Sequence, residues 1–522
     1  MRVTLTDMAY GGDAVGRDPD SGMAVFAWPG ITGEDVDVEV SLRRHNLARG
    51  LVTEVHTPSA LRVEPPCPYF GACGGCQWQH ISYAGQVAFK NHILRSQLTR
   101  TGGIADPDAV MRPPIPSPRD FHYRNTSNFA IDGQARKLAY FKRNSHDLIA
   151  VEECPISNEG INAMIPRLNA LLAQSPGYED LQWEPRGIMR VWKVAIRHSR
   201  VTGQTLVIFH TRPGGTANSP TGVNVEPRRD RRGRLQAPER PDEGPNMDEV
   251  PEASPVFPMR RRDVKRAVPG LAALEGEQGQ AALTVVEVMD DGTVNLLGET
   301  REAASETAEA LAETLTGAYV GDRGHGSDMG RATPPLGAWL ERLGGRNYWV
   351  APHGFFQVNT EAAEAMLAEV VAALPSDMGL VVDAHAGVGT FALALAGHAE
   401  KVLGYEMIGP AVASARWTAL VSSISNVEFR AGRSETLFRA LPEDQRPEAV
   451  VLDPPRSGCA PSLLREVARR EVPRIVYVSC DPSTLARDIK ALSAHYTLTS
   501  TRVIDMFPQT YHVESVSVLE RT

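Results

Sequence analysis

The chain is poor in cysteine, carries no excess of positive charge and lacks long apolar runs. Only six of its 522 residues are cysteine, so metal binding or catalysis explains them better than a disulfide framework does. The formal net charge of −9 argues against a protein that coats nucleic acid over its whole surface. A local basic patch remains compatible with that charge.

No apolar run approaches the roughly 18 residues that a membrane-spanning helix needs, so no membrane partner is expected. The N-terminal residues Met1–Thr6 show neither the apolar core nor the cleavage-like site of a signal peptide. These features predict a cytoplasmic protein. A chain of this length exceeds one hydrophobic core, and about three domains are expected.

The first two predicted domains differ in character. Residues 1–65 contain short alternating apolar segments separated by turns, which predict a small OB-like β-barrel that binds nucleic acid or serves as a spacer. Residues 66–335 predict a mixed α+β central domain. Within it, residues 213–263 are dense in proline, glycine, arginine and glutamate and predict a mobile insertion or linker. The basic clusters at 228–232 and 260–266 are interpreted as solvated and mobile.

Residues 336–522 predict an α/β domain. Apolar runs alternate with alanine-rich helical stretches, which is typical of a parallel sheet with crossover helices. Two last segments, 497–504 and 515–519, would complete a seven-stranded, Rossmann-like sheet.

A nucleotide-type cofactor is predicted at the start of this third domain. The first strand ends at Asp383 and leads into a turn containing Gly387 and Gly389, after which a helix opens at Thr390. Glu406 ends the next strand about 20 residues on, where a carboxylate can accept hydrogen bonds from ribose hydroxyls. Because the turn lacks the complete Gly-x-Gly-x-x-Gly pattern of pyrophosphate sites, S-adenosylmethionine is favoured over a dinucleotide.

Three chemically useful side chains come near the C-terminus. Cys480 closes a buried apolar run, and a thiol at that position is placed for chemistry because open α/β sheets bind ligands outside their strand ends. Asp453 ends an earlier run and begins Asp-Pro-Pro-Arg-Ser-Gly, and Glu514 lies in His-Val-Glu. Cys459, in contrast, is interpreted as a small packing residue.

Motifs distributed along most of the chain resemble those of the RNA 5-methyluridine (uracil-C5) methyltransferase family. The chain is most similar to the bacterial 23S rRNA uridine-C5 methyltransferases that contain an iron–sulfur cluster and an N-terminal TRAM domain, which residues 1–65 resemble. The matching stretches are Cys67-x5-Cys73-Gly-Gly-Cys76, Glu-Cys154-Pro, Phe355-Phe356-Gln357-Val-Asn359, Asp453-Pro-Pro-Arg456, Ser-Cys480-Asp-Pro and Asp505-Met-Phe-Pro-Gln-Thr-x-His512-Val-Glu514.

The resemblance implies methylation of uridine C5 in RNA, most simply in 23S rRNA, with no DNA partner. Cys480 would attack carbon 6 of uracil, carbon 5 would take the methyl group of S-adenosylmethionine, and Glu514 would remove the C5 proton before Cys480 is eliminated. Phe355 or Phe356 would stack on the target base, and core packing is the alternative for one of the two. The implied cofactor-binding residues are Gln357, His385, Gly387, Gly389, Thr390, Glu406, Arg433 and Asp453.

The chemistry of uracil supports a role for cysteine independently of the resemblance. Carbon 5 is a poor nucleophile until a thiolate adds to carbon 6. An enzyme that methylates an exocyclic amine would also use Asp-Pro-Pro but would have no need of Cys480. The cysteine therefore favours carbon methylation.

Four cysteines, Cys67, Cys73, Cys76 and Cys154, match the ligands of the family's cluster and imply [4Fe–4S]. Chemistry alone leaves zinc and an iron–sulfur cluster open, since both accept four thiolates. Methylation involves no net redox change, so a structural role for the cluster is expected.

The sequence departs from the family pattern at the cofactor turn. The family usually has an aromatic residue and a cysteine at the positions of His385 and Ala386, and an Asn or Asp at that of Arg433; these changes predict rearranged adenosine contacts. Two alternatives are a tRNA uridine-C5 methyltransferase and a catalytically weak RNA-binding or assembly protein. An iron–sulfur electron carrier would leave the methyl-transfer residues without a role.

Overall fold

The computed structural model describes residues 1–175, 188–212, 257–272, 282–290, 293–300 and 335–522. The chain forms two compact units. Unit 1 comprises Met1–Pro66, Gln77–Asn125 and Ala308–Thr522, and unit 2 comprises Cys67–Cys76 and Thr126–Thr307. The predicted central domain is therefore divided, because Gln77–Asn125 clusters with the barrel and the C-terminal sheet of unit 1.

Unit 1 begins with a closed five-stranded barrel in the order β1-β2-β3-β5-β4. Along the first strand, Val3, Leu5 and Met8 are buried, and the residues between them are exposed or half-buried. This alternation places one face of each strand in the barrel interior. The strands are β1 Arg2–Met8, β2 Ala14–Arg17, β3 Ala24–Trp28, β4 Asp35–Arg44 and β5 Leu47–Thr57.

A helix, α1 Tyr83–Arg100, follows the barrel. Its buried face contains two polar side chains, Gln86 and Lys90, beside Ile93, Leu94 and Leu98. Polar groups inside a helix interface are costly unless they are hydrogen-bonded, so they indicate specific partners. None of the described helices is long and apolar enough to cross a membrane.

Unit 2 contains a mainly antiparallel sheet, with two helices on its apolar face. Its core includes a stacked ring pair, Phe129 and Tyr140, with centroids 4.8 Å apart. The strands are β6 Thr126–Asp132, β7 Lys137–Phe141, β8 Leu148–Ala150, β9 Ile188–His198, β10 Thr205–Thr211, β11 Phe257–Arg260, β12 Leu283–Met289 and β13 Val294–Glu299. The helices are α2 Glu159–Gln174 and α3 Arg261–Ala272.

The end of the predicted mobile insertion is ordered secondary structure. Residues 257–260 form β11, which pairs with β9, and the basic cluster at 260–266 runs into α3. The prediction of a mobile stretch was wrong there. Val264 and Val268 lie one helical turn apart, and both are buried in the core although arginines surround them in the sequence. Residues 213–256, with the basic cluster at 228–232, lie outside the described residues.

The C-terminal part of unit 1 opens with a hairpin and a helix. These elements are β14 Trp339–Leu343, β15 Arg346–Val350 and α4 Thr360–Ala372. Asn359 caps α4 through its side-chain oxygen, which accepts a hydrogen bond from the Ala362 amide. Its Nδ2 atom donates to the Met506 carbonyl at 3.2 Å, so the cap also holds a segment near the C-terminus.

A seven-stranded sheet in the order β18-β17-β16-β19-β20-β22-β21 follows, as predicted. The first five of its strands in sequence are parallel, and β22 runs antiparallel between β20 and β21. The strands are β16 Met378–Asp383, β17 Ala399–Glu406, β18 Val427–Ala431, β19 Ala449–Leu452, β20 Arg474–Ser479, β21 Tyr496–Ile504 and β22 Glu514–Arg521. The helices are α5 Thr390–Leu395, α6 Gly409–Val421, α7 Ser434–Arg439, α8 Pro461–Arg469 and α9 Pro482–Leu492.

The strand order reverses between β16 and β19. In open α/β sheets such a switch point leaves a crevice outside the carboxyl ends of the strands, and ligands bind there. Asp383 ends β16 and Asp453 directly follows β19. The fold therefore places the predicted cofactor turn and the Asp-Pro-Pro motif at one crevice.

Candidate functional site

Cys480 and Glu514 emerge at the same edge of the C-terminal sheet. Ser479 of β20 pairs with Ser515 of β22 in antiparallel register, so the next residue of one strand lies opposite the preceding residue of the other. Those residues are Cys480 and Glu514. Asp453 leaves β19, the neighbour of β20 on its other side, and completes the group.

The Glu514 carboxyl lies in a largely water-excluded environment. The residue is 8% exposed, and burial together with nearby Asp453 raises the pKa of Glu514 to about 8, against the opposing charges of Arg456 and Lys90. Burial and Asp383 likewise raise the pKa of Asp453 to about 8. A carboxyl with a pKa near neutrality can both take and release a proton under ordinary conditions.

The Cys480 thiol is held by the same electrostatic environment. Burial, followed by the carboxyls of Glu514 and Asp453, raises the pKa of Cys480, and Arg456 acts in the opposite direction. The Arg456 Nη2 atom lies 3.4 Å from each ring nitrogen of His512. Burial and the cations Arg456 and Lys90 lower the pKa of His512 well below its usual range, so a neutral imidazole faces the guanidinium.

The residue after the thiol is anchored from the barrel. Asp481 caps α9 by accepting hydrogen bonds from the amides of Ser483 and Thr484. Its Oδ2 atom also accepts a 3.0 Å hydrogen bond from the hydroxyl of Tyr10, which follows β1. The Tyr10 ring packs edge-to-face on Tyr511, with centroids 5.7 Å apart. The barrel thus contributes directly to the support of Cys480.

The cofactor turn requires both of its glycines. Gly389 has φ +88°, and a Cβ there would lie 2.8 Å from Cζ of Phe429. Gly387 has φ +53°, but a Cβ at this position would meet no atom within 4 Å. Of the two, Gly387 therefore borders open space, which suits the approach of a ligand to the backbone.

Glu406 and His385 line the same turn. The two carboxylate oxygens of Glu406 accept hydrogen bonds from the Gly387 amide at 2.9 Å and the Ile408 amide at 2.8 Å, which leaves lone pairs for ribose hydroxyls. Burial lowers the pKa of His385 to about 4, and among the described residues its Nδ1 atom has no hydrogen-bond partner. An acceptor pair, open space and an unsatisfied ring nitrogen fit an adenosine-type ligand.

The remaining predicted cofactor residues occupy different environments. Thr390 is 8% exposed at the start of α5. The Arg433 side chain is 70% exposed and its Nε atom donates to Glu435 at 2.7 Å. The main-chain oxygen of Gln357 accepts a 2.8 Å hydrogen bond from Asn125, which positions its half-buried side chain.

The two adjacent phenylalanines differ sharply in exposure. Phe356 is 4% exposed and packs against the rings of Trp339 and Tyr348, with centroids 6.0 and 5.6 Å away. Phe355 is 62% exposed. Of the pair, only Phe355 has its side chain exposed to solvent.

The four N-terminal cysteines belong to unit 2. Burial and the neighbouring thiols of Cys154 and Cys67 raise the pKa of Cys73 to about 12, and the Gly75 amide donates to its sulfur at 3.4 Å. The loop is tied to the β7–β8 hairpin because the Gly74 amide donates to the Phe141 carbonyl at 3.0 Å. Cys459, as predicted, is a packing residue that is 2% exposed.

Several residues at the site carried no assigned role from sequence. Arg456 and His512 lie inside the motifs, so their charge and position were available signals. Asp383 has a similar signal as the last residue of a buried strand, and burial raises its pKa to about 7. For Tyr10 and Lys90 the sequence contains no such signal, because they lie more than 400 residues from their partners Asp481 and Asp505.

Comparison with known proteins identifies the C-terminal region. Residues 343–522 match the family described as tRNA (Uracil-5-)-methyltransferase. An uncharacterised RNA methyltransferase from Gloeobacter violaceus is 29% identical over 100% of this chain and 96% of its own length. Another, from Listeria innocua, is 28% identical over 99% of this chain and 97% of its own.

A solved structure shares the whole fold. The tRNA (uracil-54, C5)-methyltransferase of Pyrococcus abyssi, in complex with S-adenosyl-L-homocysteine, has a TM-score of 0.63 and 21% identity, and the match covers 99% of each chain. The fold and the site define an S-adenosylmethionine-dependent methyltransferase. Residues 343–522 match the uracil-5-methyltransferase family, and the relatives that span almost the whole chain are RNA methyltransferases.

Replacing Gly387 by alanine is expected to weaken S-adenosylmethionine binding about tenfold or more. The added methyl group would occupy the open space at the turn, and the left-handed backbone would cost about 1–2 kcal/mol. Calorimetric titration with the cofactor measures the effect. Gly397→Ala is the control, because a Cβ at Gly397 also meets nothing within 4 Å and this glycine lies outside the turn. Unchanged affinity in Gly387→Ala would contradict this placement of the cofactor.

Proposed function

We propose that this protein methylates carbon 5 of uridine through a covalent Cys480–RNA adduct. The observation that carries the proposal is the antiparallel register of β20 and β22, which sets Cys480 opposite Glu514. A nucleophile and a base on one edge of the sheet can act on adjacent ring carbons, as carbons 6 and 5 of uracil require.

Each residue has a defined task in this mechanism. The Cys480 sulfur bonds to carbon 6, and the electron pair moves towards carbon 5 and the O4 carbonyl. Glu406, His385 and the Gly387 turn would hold S-adenosylmethionine, which would supply the methyl group to carbon 5 and leave as S-adenosylhomocysteine. Glu514 then removes the C5 proton, the C6–S bond breaks, and the double bond re-forms as the Cys480 thiolate leaves.

Arg456 is the group that we assign to thiol activation. The thiolate is the reactive form of cysteine, and the surrounding carboxyls disfavour it. The Arg456 guanidinium acts in the opposite direction on the pKa of Cys480. Thr390, Gln357, Arg433 and Asp453 remain proposed cofactor contacts, Arg433 from the exposed rim.

The target uridine must leave its stack to reach Cys480, at a cost of a few kcal/mol. Phe355 is placed to compensate by stacking, since its ring is 62% exposed, whereas Phe356 would support it from the core. Further RNA contacts are proposed on the barrel, where the Arg49 guanidinium lies 5.4 Å from the Phe26 ring centroid and Arg43 and Arg44 are exposed.

We assign residues 1–65 as a TRAM-like RNA-binding domain, 66–335 as the iron–sulfur and RNA-recognition region, of which Gln77–Asn125 belongs to unit 1, and 336–522 as the methyltransferase domain. The four-cysteine motif favours 23S rRNA as the substrate. tRNA is the second candidate, because the family description and the similar Pyrococcus abyssi enzyme both refer to tRNA. The barrel alone does not discriminate between rRNA and tRNA as substrates. The match to the Pyrococcus abyssi tRNA methyltransferase covers 99% of each chain, so it includes the barrel.

The deciding experiment is mass spectrometry of nucleosides after incubation with labelled S-adenosylmethionine and unmodified 23S rRNA or tRNA. Labelled 5-methyluridine in 23S rRNA supports the proposal, and the same product in tRNA alone reassigns the substrate. No label in either RNA, with RNA binding retained, would instead identify a binding or assembly protein.

We propose further that Cys67, Cys73, Cys76 and Cys154 hold a [4Fe–4S] cluster with a structural role. Cys154 and Cys67 both raise the pKa of the Cys73 thiol, which supports the proximity of these three cysteines. Among the described residues, no three of these sulfurs lie within 4.8 Å of one another. The choice of [4Fe–4S] over zinc therefore rests on the resemblance of the motif, since both accept four thiolates.

Protein purified without oxygen is therefore expected to be brown, with absorbance near roughly 400 nm. The colour should be lost in Cys73→Ser and retained in Cys459→Ser, because Cys459 packs in the core of unit 1. Metal analysis quantifies iron and zinc in both variants. Stoichiometric zinc without iron in the unaltered protein would overturn the cluster assignment.

A further inference from the structure

Lys90 is a cation placed entirely inside unit 1. Its side chain has no exposed surface, and its Nζ atom donates to Oδ1 of Asp505 at 2.6 Å and to the Phe507 carbonyl at 2.8 Å. Asp505 is equally buried. Burying an ammonium group is costly even when it is paired, yet the mechanism above gives Lys90 no task.

The segment that Lys90 holds leads directly to the general base. Residues 505–510 are the first part of the connection 505–513 between β21 and the strand that begins at Glu514. Another residue of α1 holds the same segment, because Gln86 Nε2 donates to Oε1 of Gln509 at 2.9 Å and the Gln509 amide donates to Oε1 of Gln86 at 2.8 Å. Gln509 has φ +69°, an unfavourable conformation that these contacts stabilise.

Lys90 also acts on the base through its charge. The charged and titratable groups that face Glu514 are Asp453 and Arg456 after β19, Cys480 at the end of β20, and Lys90 on α1. Lys90 lowers the pKa of Glu514 against the effect of burial and Asp453. Burial lowers the pKa of Lys90 itself, and the Asp505 carboxylate opposes that shift.

We propose that Lys90 is a positioning residue for Glu514: from α1 it fixes segment 505–510, through which the chain reaches the base, and it buries a cation there. This inference rests on the proposed function of Glu514. A purely structural ion pair would hold segment 505–510 without affecting the pKa of Glu514, whereas Lys90 lowers that pKa. The role concerns proton removal from carbon 5 and leaves the attack by Cys480 intact.

The test separates adduct formation from adduct breakdown in Lys90→Met. RNA containing 5-fluorouridine should be captured at the rate of the unaltered protein, because capture needs no proton removal. On ordinary RNA the adduct should accumulate, and the pH profile of turnover should move to higher pH. A shift of about one unit would slow breakdown about tenfold at pH 7.

Two comparisons make the result decisive. Lys90→Gln keeps a hydrogen-bond donor without the charge and should show the same shift, even if the methionine variant fails to fold. Gln86→Met loosens the segment without removing charge and should slow turnover with its pH profile unmoved. An unshifted profile in both Lys90 variants, or capture and turnover that fall in parallel, would overturn the inference. If the unaltered protein neither captures nor methylates RNA, the proposed function itself fails.

Discussion

Replacement of Cys480 by alanine is expected to abolish covalent capture of RNA containing 5-fluorouridine. The capture requires a sulfur–carbon 6 bond, and fluorine at carbon 5 prevents the proton removal that would release the RNA. Methylation of ordinary RNA should fall at least about 10⁴-fold, as for the loss of other enzymatic nucleophiles. Denaturing gels detect the adduct as a slower band, and nucleoside mass spectrometry measures the methylation.

Cys459→Ala is the matched control, since Cys459 is the other cysteine of the C-terminal domain and is 2% exposed. Capture should persist in this variant, with only a small loss of stability from the cavity. A persistent slow band in Cys480→Ala would show that another residue attacks carbon 6. Loss of the band in both variants would indicate damage to the fold.

Replacement of Glu514 by glutamine is expected to trap the protein on ordinary uridine RNA. Glutamine keeps the shape of the side chain but cannot take the C5 proton, so the adduct forms and is not resolved. Turnover should fall about 10²–10⁴-fold, the usual contribution of a general base. The same gel assay measures the adduct on unfluorinated RNA. The unaltered protein should show little adduct there, because it completes the reaction.

The pH dependence follows from the environment of Glu514. The base acts in its ionised form, and burial raises the pKa of Glu514 to about 8, so turnover should increase as the pH rises through that value. In Glu514→Gln, this increase of turnover with pH should be absent. Glu520→Gln is the control on the same strand, because its carboxylate is 44% exposed and pairs with Arg474 at the surface, where such pairs contribute little. A profile that is flat in the unaltered protein, or no adduct in Glu514→Gln, would exclude Glu514 as the base.

Local patterns in the sequence were sufficient to locate the strands and the residues of the proposed site. The apolar run at 449–452 is β19 without any change of bounds, and the run at 475–478 lies within β20. A central parallel strand is covered on both faces, so its residues form a continuous apolar run that is easily recognised between turn residues. Cys480 and Asp453 could be assigned from position alone, since both follow such runs.

Other features needed the folded chain. Phe355 and Phe356 are adjacent residues of the same type, so the sequence does not indicate which of them is buried. Packing against Trp339 buries Phe356. The start of α3 was misread as mobile because its charged residues dominate the composition, whereas two buried valines determine its structure. Composition averages over a segment, but burial depends on the few side chains that face a core.

The sequence by itself therefore determined the α/β domain, the glycine turn after its first strand and the position of the proposed nucleophile, because each is encoded by residues adjacent in the chain. The tertiary structure alone decided that Glu514 lies opposite Cys480, that Tyr10 hydrogen-bonds to Asp481, and that the charge of Lys90 acts on Glu514. Lys90 and Asp505 are 415 positions apart, and no local period carries information over that distance. Their charges interact because folding excludes water between them, and that electrostatic environment sets the proton affinity on which the proposed reaction depends.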